Sequence, residues 1–377
     1  MSIYLDNAAT TRVCPEAAAA ALAAMTECYG NPSSTHRAGR EAKKELDRCR
    51  RELAAVLGCG ERELYFTSGG TESDNWAIRC GAEGNRRRGA HILSCAAEHA
   101  AVLHSLDELE KRGFAVTRLK PEPWGGVSPD AVLEALREDT ILVTLMAVNN
   151  ETGAMTDLAA VARAVKARNP HTLLHSDAVQ GFCKVALPLG ASGVDLLSIS
   201  GHKIHAPKGV GALYIREGLR LPPLLFGGEQ EQGRRAGTEP LPLIAAFAAA
   251  AAAFRRDGGA VQRMEALRQR AAARLVEENP GLLVLGGGAP HILSVSLPGW
   301  RSEVLMNFLE AREIYVSKSS ACKRGGRSYV LEAMGLRSAV IDGAIRIGLS
   351  RFTTPEEIEA LCDALGDARR SLRPSLR

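Results

Sequence analysis

The chain of 377 residues carries 47 lysines and arginines against 43 aspartates and glutamates, which leaves a formal net charge of only +4. Its apolar fraction of 46% and charged fraction of 24% are those of an ordinary globular protein, so they exclude a disordered or fibrous chain. So small a net charge gives no electrostatic signature of nucleic-acid binding, and we expect none. At roughly 150 residues per domain, the length predicts two or three domains.

Neither the start of the chain nor its cysteines point to secretion. The opening residues MSIYLDNAATT contain no basic and apolar leader, and the longest apolar run, 241–254, is too short to cross about 30 Å of hydrocarbon. The nine cysteines form no C-x-x-C pair, so we expect neither disulfides nor a metal site. His202 and His205 have ligand-like spacing, but no further ligand follows them at a suitable distance. The predicted location is the cytoplasm, with no membrane contact.

Apolar runs bounded by turn residues recur through the first 260 residues and predict β-strands. Helical stretches, among them 129–138 and 157–167, separate them. Because apolar strands alternating with helices are typical of parallel sheets, we expect a mostly parallel sheet covered on both faces. The run 209–217 follows the previous strand too closely for a helical crossover, which favours an antiparallel strand. The other predicted strands are 63–68, 91–95, 140–148, 172–177 and 194–200.

The last third of the chain predicts a second, smaller domain. The alanine-rich run 241–254 is typical of a buried helix, and 255–278 is predicted to form a long charged helix that leads to this domain. Two further strands are predicted at 291–298 and 313–320, and a C-terminal helix closes the chain.

Polar motifs follow five predicted strands, at the point where each strand ends. In chain order they are SGGTESDN, EH, NNETG, SDAVQ and SGHK. Ligands of open α/β sheets bind at the carboxyl ends of the strands, so we expect these motifs to build one site. The turn at Gly69 and Gly70, followed by Thr71 at a helix start, suits a phosphate group. The chain lacks G-x-x-x-x-G-K-[ST] and G-x-G-x-x-G, which argues against a nucleotide P-loop or a dinucleotide fingerprint.

Two charged residues of these motifs indicate the chemistry. A partly desolvated lysine such as Lys203 suits Schiff-base chemistry, although a lysine in a salt bridge is the common alternative. Asp177 ends a buried strand and needs a partner; a protonated pyridine nitrogen is one, and capping of a following helix is the alternative. A serine acyl transferase is excluded, because S-x-x-K does not precede the S-D-N at residues 73–75 and K-T-G is absent.

The chain resembles the cysteine desulfurases, enzymes of the class V aminotransferase group that use pyridoxal 5'-phosphate (PLP). The resemblance implies an aspartate-aminotransferase-like α/β fold of type I. Its large domain holds a mostly parallel seven-stranded sheet, and a smaller α+β domain follows. The implied boundaries are 1–15 for an N-terminal segment packed with the small domain, 16–258 for the PLP-binding domain and 259–377 for the small domain. The motifs occur in family order as YLDNAATT, GNPSSTHRAGR, TSGGTESDNWAI, AAEHAAVL, VNNETG, HSDAVQ, SGHKIHAPKGVGALY, RRAGTEP, SSAC and AIRIGLSRFTT.

The resemblance also implies a role for each matching residue. Lys203 holds PLP covalently, Asp177 pairs with its ring nitrogen, Gln180 reaches its hydroxyl group, and His99 stacks on the ring and moves protons. Cys322 is the nucleophile. The implied phosphate contacts are Gly70, Thr71, Ser200, His202 and, from the second subunit of a homodimer, Thr238. The implied substrate contacts are Arg346, which clamps the carboxylate, Asn150, which also faces the ring, and Asn31.

The activity implied is conversion of L-cysteine to L-alanine. It leaves a persulfide on Cys322, which passes to an acceptor protein for iron–sulfur cluster or thiolated tRNA biosynthesis. The alternatives are a selenocysteine lyase or an aminotransferase of the same fold, and a sulfur-relay scaffold without enzymatic activity. Cys322 argues against an aminotransferase, and intact Lys203, Asp177 and His99 argue against a scaffold.

The sequence departs from the family's pattern at two places. Ala236 stands where familiar members often have serine, which removes one potential hydrogen bond. The segment after Cys322 is short and carries Lys323, Arg324 and Arg327, so the chain resembles a short-loop member of the first desulfurase subgroup. These cations would favour the thiolate and attract an acidic acceptor, and a solvated loop is the alternative.

Overall fold

The described part of this computed structural model comprises residues 2–190, 193–318 and 326–374. Its strands are β1 (Ile3–Tyr4), β2 (Leu64–Thr67), β3 (His91–Cys95), β4 (Ala115–Leu119), β5 (Thr140–Thr144), β6 (Leu173–Asp177), β7 (Leu196–Ser200), β8 (Gly211–Ile215), β9 (Leu283–Val284), β10 (Ile292–Ser296), β11 (Ile314–Tyr315), β12 (Ser317–Lys318) and β13 (Ala344–Gly348).

The helices cover the sheets and connect their strands. They are α1 (Pro15–Thr26), α2 (Arg37–Leu57), α3 (Gly70–Asn75), α4 (Gly81–Asn85), α5 (Ala100–Lys111), α6 (Pro129–Ala135), α7 (Leu158–Arg168), α8 (Leu241–Arg256), α9 (Ala260–Glu278), α10 (Ser302–Glu310), α11 (Tyr329–Ala333), α12 (Ser338–Asp342) and α13 (Pro355–Ser371). None of these helices is long and apolar enough to cross a membrane.

A seven-stranded sheet forms the centre of the molecule, in the order β2-β8-β7-β6-β5-β3-β4. Strands β3 to β7 pair in parallel, and β8 runs antiparallel to both β7 and β2. Neighbouring residues such as Leu196 and Leu197 belong to different apolar clusters, because successive side chains of a strand point to opposite faces. Both faces are therefore buried, and the predicted fold class is confirmed, as is the antiparallel strand expected at 209–217.

A second, four-stranded antiparallel sheet has the order β12-β13-β10-β9. The start of the chain lies against this part of the molecule. Strand β1 pairs in parallel with β11, Asp6 forms a bridge with Gly348, and Leu5 belongs to the same apolar cluster as Leu293 and Ile347. The segment after β1 then crosses to the carboxyl ends of the large sheet.

Several elements differ from their sequence-based prediction. Strand β4, with the sequence AVTRL, mixes apolar and polar side chains and has no fully buried residue, so it was not predicted from an apolar run as the other strands of this sheet were. The helix predicted at 255–278 is divided, because α8 ends at Arg256 and α9 begins at Ala260. The Asp-Gly-Gly sequence between them is a poor helix former. The strand predicted at 313–320 is also divided, into β11 and β12, which lie in different sheets.

Candidate active site

A cavity of about 330 Å³ lies at the carboxyl ends of the parallel strands, and this volume is typical of small-molecule sites. Motifs at the ends of β2, β3, β5, β6 and β7 reach it, as expected from the topology. Strand β13 of the small sheet also contributes a residue. The predicted site residues that line the cavity are Gly70, Thr71, His99, Asn150, Asp177, Gln180, Ser200, His202, Lys203 and Arg346.

Lys203 ends a short 3₁₀ turn that directly follows β7. Its Nζ donates hydrogen bonds to two backbone carbonyl oxygens, that of Ala8 at 2.7 Å and that of Ala9 at 2.6 Å. Both acceptors are neutral. The amine is thus aimed into the cavity by the segment that follows β1.

Asp177, the last residue of β6, is buried at the bottom of the cavity. Its Oδ1 accepts a hydrogen bond from Val179 N at 2.9 Å. Burial raises the pKa of Asp177, and the nearby His99 and Lys203 lower it. A second buried carboxyl group, that of Asp74, lies so close that ligand atoms of Asp74, Asp177 and His99 are all within 4.8 Å of one another. Two buried carboxyl groups at this distance would be stabilised by a cation in the cavity.

Asp74 itself is 1% exposed, and its Oδ1 has no hydrogen-bond partner among the described residues. Burial, followed by the charge of Asp177, raises the pKa of Asp74 well above its ordinary value. The pKa values of both carboxyl groups are thus raised by burial, and a cation in the cavity would favour their charged forms.

The two histidines of the cavity are fixed by neighbouring groups. His99 is the N-cap of α5 and its Nδ1 accepts from Ala101 N at 3.2 Å, which assigns the ring proton to Nε2. His202 Nδ1 lies 3.1 Å from Thr10 Oγ1. Burial and then the charge of Lys203 lower the pKa of His202 to about 4, so its imidazole is neutral at neutral pH.

Gln180 connects the cavity to the small sheet. Its Nε2 donates to Ala8 O at 2.8 Å, and its Oε1 lies 3.2 Å from Nε2 of the buried His291. Burial lowers the pKa of His291 well below its ordinary value, so the ring is neutral and Nε2 donates to the amide oxygen. This arrangement fixes the orientation of the Gln180 side chain.

Arg346 is 2% exposed, although it carries a permanent charge. It donates to Asn150 O at 2.7 Å, to Ser317 Oγ at 2.8 Å and to Asp6 Oδ1 at 3.1 Å. Its Nε has no partner among the described residues, and neither has the buried Oδ1 of Asn150. A guanidinium group with a donor left over suits the carboxylate of a small ligand.

These observations fit PLP. A protonated pyridine nitrogen would pair with the buried carboxyl group of Asp177. A Cβ atom at Gly70 would lie 2.5 Å from Cγ2 of Val179, so a side chain at this position would push Val179 out of place in the cavity wall. The unpaired acceptor atoms of Asp74 and Asn150 are also in place for a polar ligand.

Three predicted site residues are not part of this cavity. Asn31 and Thr238 are exposed and do not line it, so their roles stay predictions. Cys322 lies outside the described residues, as do Lys323 and Arg324. Arg327 is described and forms an ion pair with Asp342, with Nε and Oδ1 2.8 Å apart.

Sequence reasoning missed several residues of the site. Asp74 was considered only as part of an S-D-N motif, and the backbone oxygens of Ala8 and Ala9 carry no side-chain signal. Asp6, which pairs with Arg346, lies in the YLDNAATT motif, and its charge beside an otherwise apolar start could have marked it. Lys184, buried four residues after Gln180, has no motif of its own.

The chain matches the family model described as aminotransferase class-V over residues 3–361. The chain belongs to this family. "Cysteine desulfurase IscS" of Methanosarcina thermophila is 39% identical, over 99% of this chain and 93% of the relative. "Cysteine desulfurase 2" of Trichormus variabilis is 41% identical, over 95% of this chain and 90% of the relative.

Solved structures agree with these relatives. A structure described as a NifS-like protein superposes with a TM-score of 0.92 at 38% identity, covering 99% of this chain and all of the other. A structure described as SspA in complex with cysteine has a TM-score of 0.82 at 30% identity, covering 94% of this chain and all of the other. The predicted family and enzyme class are confirmed: this class V protein is a PLP-dependent cysteine desulfurase.

Proposed function

We propose that this desulfurase removes sulfur from L-cysteine in the cavity between the two sheets and passes it, through Cys322, to an acceptor protein. The observation that carries the proposal is the meeting of Lys203, Asp177 and Arg346 in one cavity, although they come from different parts of the chain. Together they offer an amine, a buried anion and a buried cation.

The proposed cofactor contacts follow from the positions of the side chains. Lys203 would hold PLP covalently, Asp177 would pair with its ring nitrogen, and Gly70, Thr71, Ser200 and His202, which all line the cavity, would contact its phosphate. When bound, PLP supplies an electron sink for a carbanion at the α-carbon of an amino acid. The neutral His202 can accept a hydrogen bond from the phosphate group or donate one to it, and it places no further charge beside the phosphate or Lys203.

Arg346 would bind the substrate carboxylate and Asn150 would orient it. Nε of Arg346 is unpaired, and Asp6 can release a second guanidinium nitrogen because its carboxylate is partly exposed, at 23% of its side chain. Lys203 would move the α-proton, and His99 Nε2 would donate a proton within the cavity.

The proposed sulfur transfer uses the thiolate of Cys322. It attacks the sulfur of L-cysteine, the carbon–sulfur bond breaks, and its electron pair remains on carbon, which takes up a proton. L-alanine leaves and a persulfide remains on Cys322. Atoms and electrons balance without an external oxidant.

Two structural features support a homodimer. Thr238 is exposed and outside the cavity of its own subunit, as expected for a residue that completes the site of a second subunit. Large apolar side chains, among them Met25, Tyr29 and Phe226, are also exposed.

The division of the chain into an N-terminal segment 1–15, a large domain 16–258 and a small domain 259–377 is also a proposal. The strands of the two larger parts belong to separate sheets, which supports it.

The experiment that tests this function compares Cys322→Ala with Cys28→Ala, which changes a half-buried cysteine outside the cavity. With L-cysteine and dithiothreitol, the wild type and Cys28→Ala are expected to release L-alanine and sulfide in equal amounts. Cys322→Ala is expected to release neither, while it keeps the cofactor's visible absorbance. Mass spectrometry should find one added sulfur atom on the Cys322 peptide. Unchanged turnover in Cys322→Ala would favour a lyase or an aminotransferase, and absence of a bound cofactor would favour a scaffold.

A further inference from the structure

The NNETG motif forms a tight turn that joins several parts of the molecule. Oδ1 of Asn149 accepts from the backbone N–H groups of Glu151 and Thr152, at 2.9 and 3.0 Å, and its Nδ2 donates to Ala97 O at 3.0 Å. Gly153 follows with a φ of +71°, a conformation that favours glycine. The backbone of this turn is therefore fixed independently of the Glu151 side chain.

The side chain of Glu151 does not line the cofactor cavity and is 3% exposed. Its Oε2 accepts a hydrogen bond from the hydroxyl group of Ser328, which is itself 2% exposed. The same Ser328 oxygen accepts from Leu331 N at 3.1 Å and so caps α11. Glu151 thus binds Ser328, the N-cap residue of α11.

Ser328 follows Cys322 by six residues in the chain. The next residue, Tyr329, donates from its hydroxyl group to Glu98 O at 2.8 Å, which attaches the same segment to the motif that contains His99. Segment 328–329 is therefore held by two hydrogen bonds to loops of the large sheet.

The other side of the same turn faces the substrate site. Asn150 lines the cavity, and its backbone oxygen accepts from Arg346 Nη1 at 2.7 Å. The residue proposed to bind the substrate carboxylate and the segment that follows the nucleophile are thus attached to neighbouring residues of one rigid turn.

A buried glutamate at this position requires a reason beyond packing. Burial raises the pKa of Glu151 to about 7, whereas the Ser328 hydroxyl and the charge of Arg346 lower it. Glutamine would accept the same hydrogen bond without a buried charge. A carboxylate, however, accepts a stronger hydrogen bond than an amide does, which suits a contact that must hold a chain segment in place.

We propose that Glu151 is a positioning residue: through Ser328 it fixes residues 328–329, which are six and seven residues after Cys322 in the chain, relative to a substrate held by Arg346. This inference rests on the proposed function of Cys322. Glu151 itself is not proposed to touch substrate or cofactor. We expect the rate of persulfide formation to depend on the contact between Glu151 and Ser328.

The test uses the full-length holoenzyme, four single variants and one double variant. Glu151→Ala and Ser328→Ala remove the bond from opposite sides, so a folding defect in one leaves the other, and Glu151→Gln keeps an acceptor. Asp342→Asn is the matched control, because it removes the exposed ion pair of Arg327 in the same stretch. The single-turnover rate of persulfide formation is expected to fall about 10-fold or more in both alanine variants, as for a lost hydrogen bond to a buried charged group.

Three further readouts separate positioning from general damage. The KM for L-cysteine and the cofactor absorbance should stay within a factor of two of the wild type. Hydrogen exchange should accelerate in the peptide that covers α11. Persulfide formation in the double alanine variant should be no slower than in either single variant. Glu151→Gln should recover most of the rate. Additive losses in the double variant, parallel loss of cofactor, or faster exchange with an unchanged persulfide rate would each overturn the proposal.

The proposed function fails by a different result. If Cys322→Ala retained full activity, Cys322 would not be the nucleophile. The rate of iodoacetamide labelling of Cys322 would still report its placement, because labelling needs no turnover. A labelling rate that is the same in wild type and in both alanine variants would overturn the positioning role by itself.

Discussion

Lys184 offers a prediction about stability, because it is a lysine with only 5% exposure at the end of the segment that contains Gln180. No carboxylate pairs with its ammonium group among the described residues. Burial, and after it the positive charge of Lys203, lower the pKa of Lys184 from 10.5 to about 7. Replacing Lys184 by Met keeps a long side chain and removes the group that loses its proton.

The sign and size of the effect follow from this difference in pKa. Between about pH 7 and pH 10.5 the unfolded chain binds a proton on Lys184 that the folded protein lacks, so the stability of the wild type rises with pH in this range. At about 1.4 kcal/mol for each pH unit, the cost at pH 7 reaches about 5 kcal/mol and is constant below it. Lys184→Met escapes this cost, so its advantage over the wild type is largest at and below pH 7.

The assay is urea unfolding of the cofactor-free protein at intervals from pH 6 to pH 10, for the wild type, Lys184→Met and the exposed Lys208→Met. The free energy of unfolding of Lys184→Met minus that of the wild type should fall steadily from pH 7 to pH 10. Groups shared by both proteins cancel in this difference, and Lys208→Met is the matched control for the loss of an exposed lysine. A flat line for Lys184→Met would refute the reasoning, since it would mean that Lys184 keeps its proton in the folded state.

Three more predictions concern the site. Lys203→Ala should bind PLP only noncovalently, and borohydride treatment of the wild type should fix the cofactor to Lys203; a label on another lysine would contradict this. Arg346→Ala should raise the KM for L-cysteine about 10- to 100-fold, as for loss of a charged hydrogen-bonding group, and an unchanged KM in steady-state kinetics would contradict the carboxylate role. Neutralising Lys323, Arg324 and Arg327 together should slow transfer to a protein acceptor more than sulfide release to a small thiol, and the difference should shrink as salt rises. Equal, salt-independent losses would place the effect on the chemistry instead.

Much of the large sheet could be predicted because its central strands are buried on both faces. A run such as 140–148 is almost continuously apolar, and this pattern favours a strand that is buried on both faces of a parallel sheet. The helix α2 was not predicted, and β4 was missed since its residues AVTRL mix apolar and polar side chains at an edge of the sheet. The division of 313–320 between two sheets depends on pairing with Ile3 and Arg346, which no local pattern encodes.

The candidate site likewise contains contacts that the sequence could predict and contacts that it could not. Residues at strand ends, such as Asp177 and Lys203, could be predicted from the sequence to lie in one site, because the carboxyl ends of parallel strands meet at one edge of the sheet. The contact between Asp6 and Arg346 and that between Glu151 and Ser328 could not, because their partners are separated by 340 and 177 residues. Such contacts depend on how the second sheet lies against the first.

The pairing of β1 with β11 also has a consequence for synthesis of the chain. Ile3 pairs with Ile314, about 310 residues later, so a ribosome adding about 5–20 residues per second leaves the first strand without its partner for about 15 to 60 s. The large sheet is complete by Ile215, and its strand ends can assemble during that interval. The carbonyl oxygens of Ala8 and Ala9, which receive Lys203, precede Thr11, whose backbone N–H donates to His202 O, so this segment can attach to the strand ends of the large sheet before β11 exists. Strand β1, by contrast, must keep its pairing edge free until residue 314 has been synthesised.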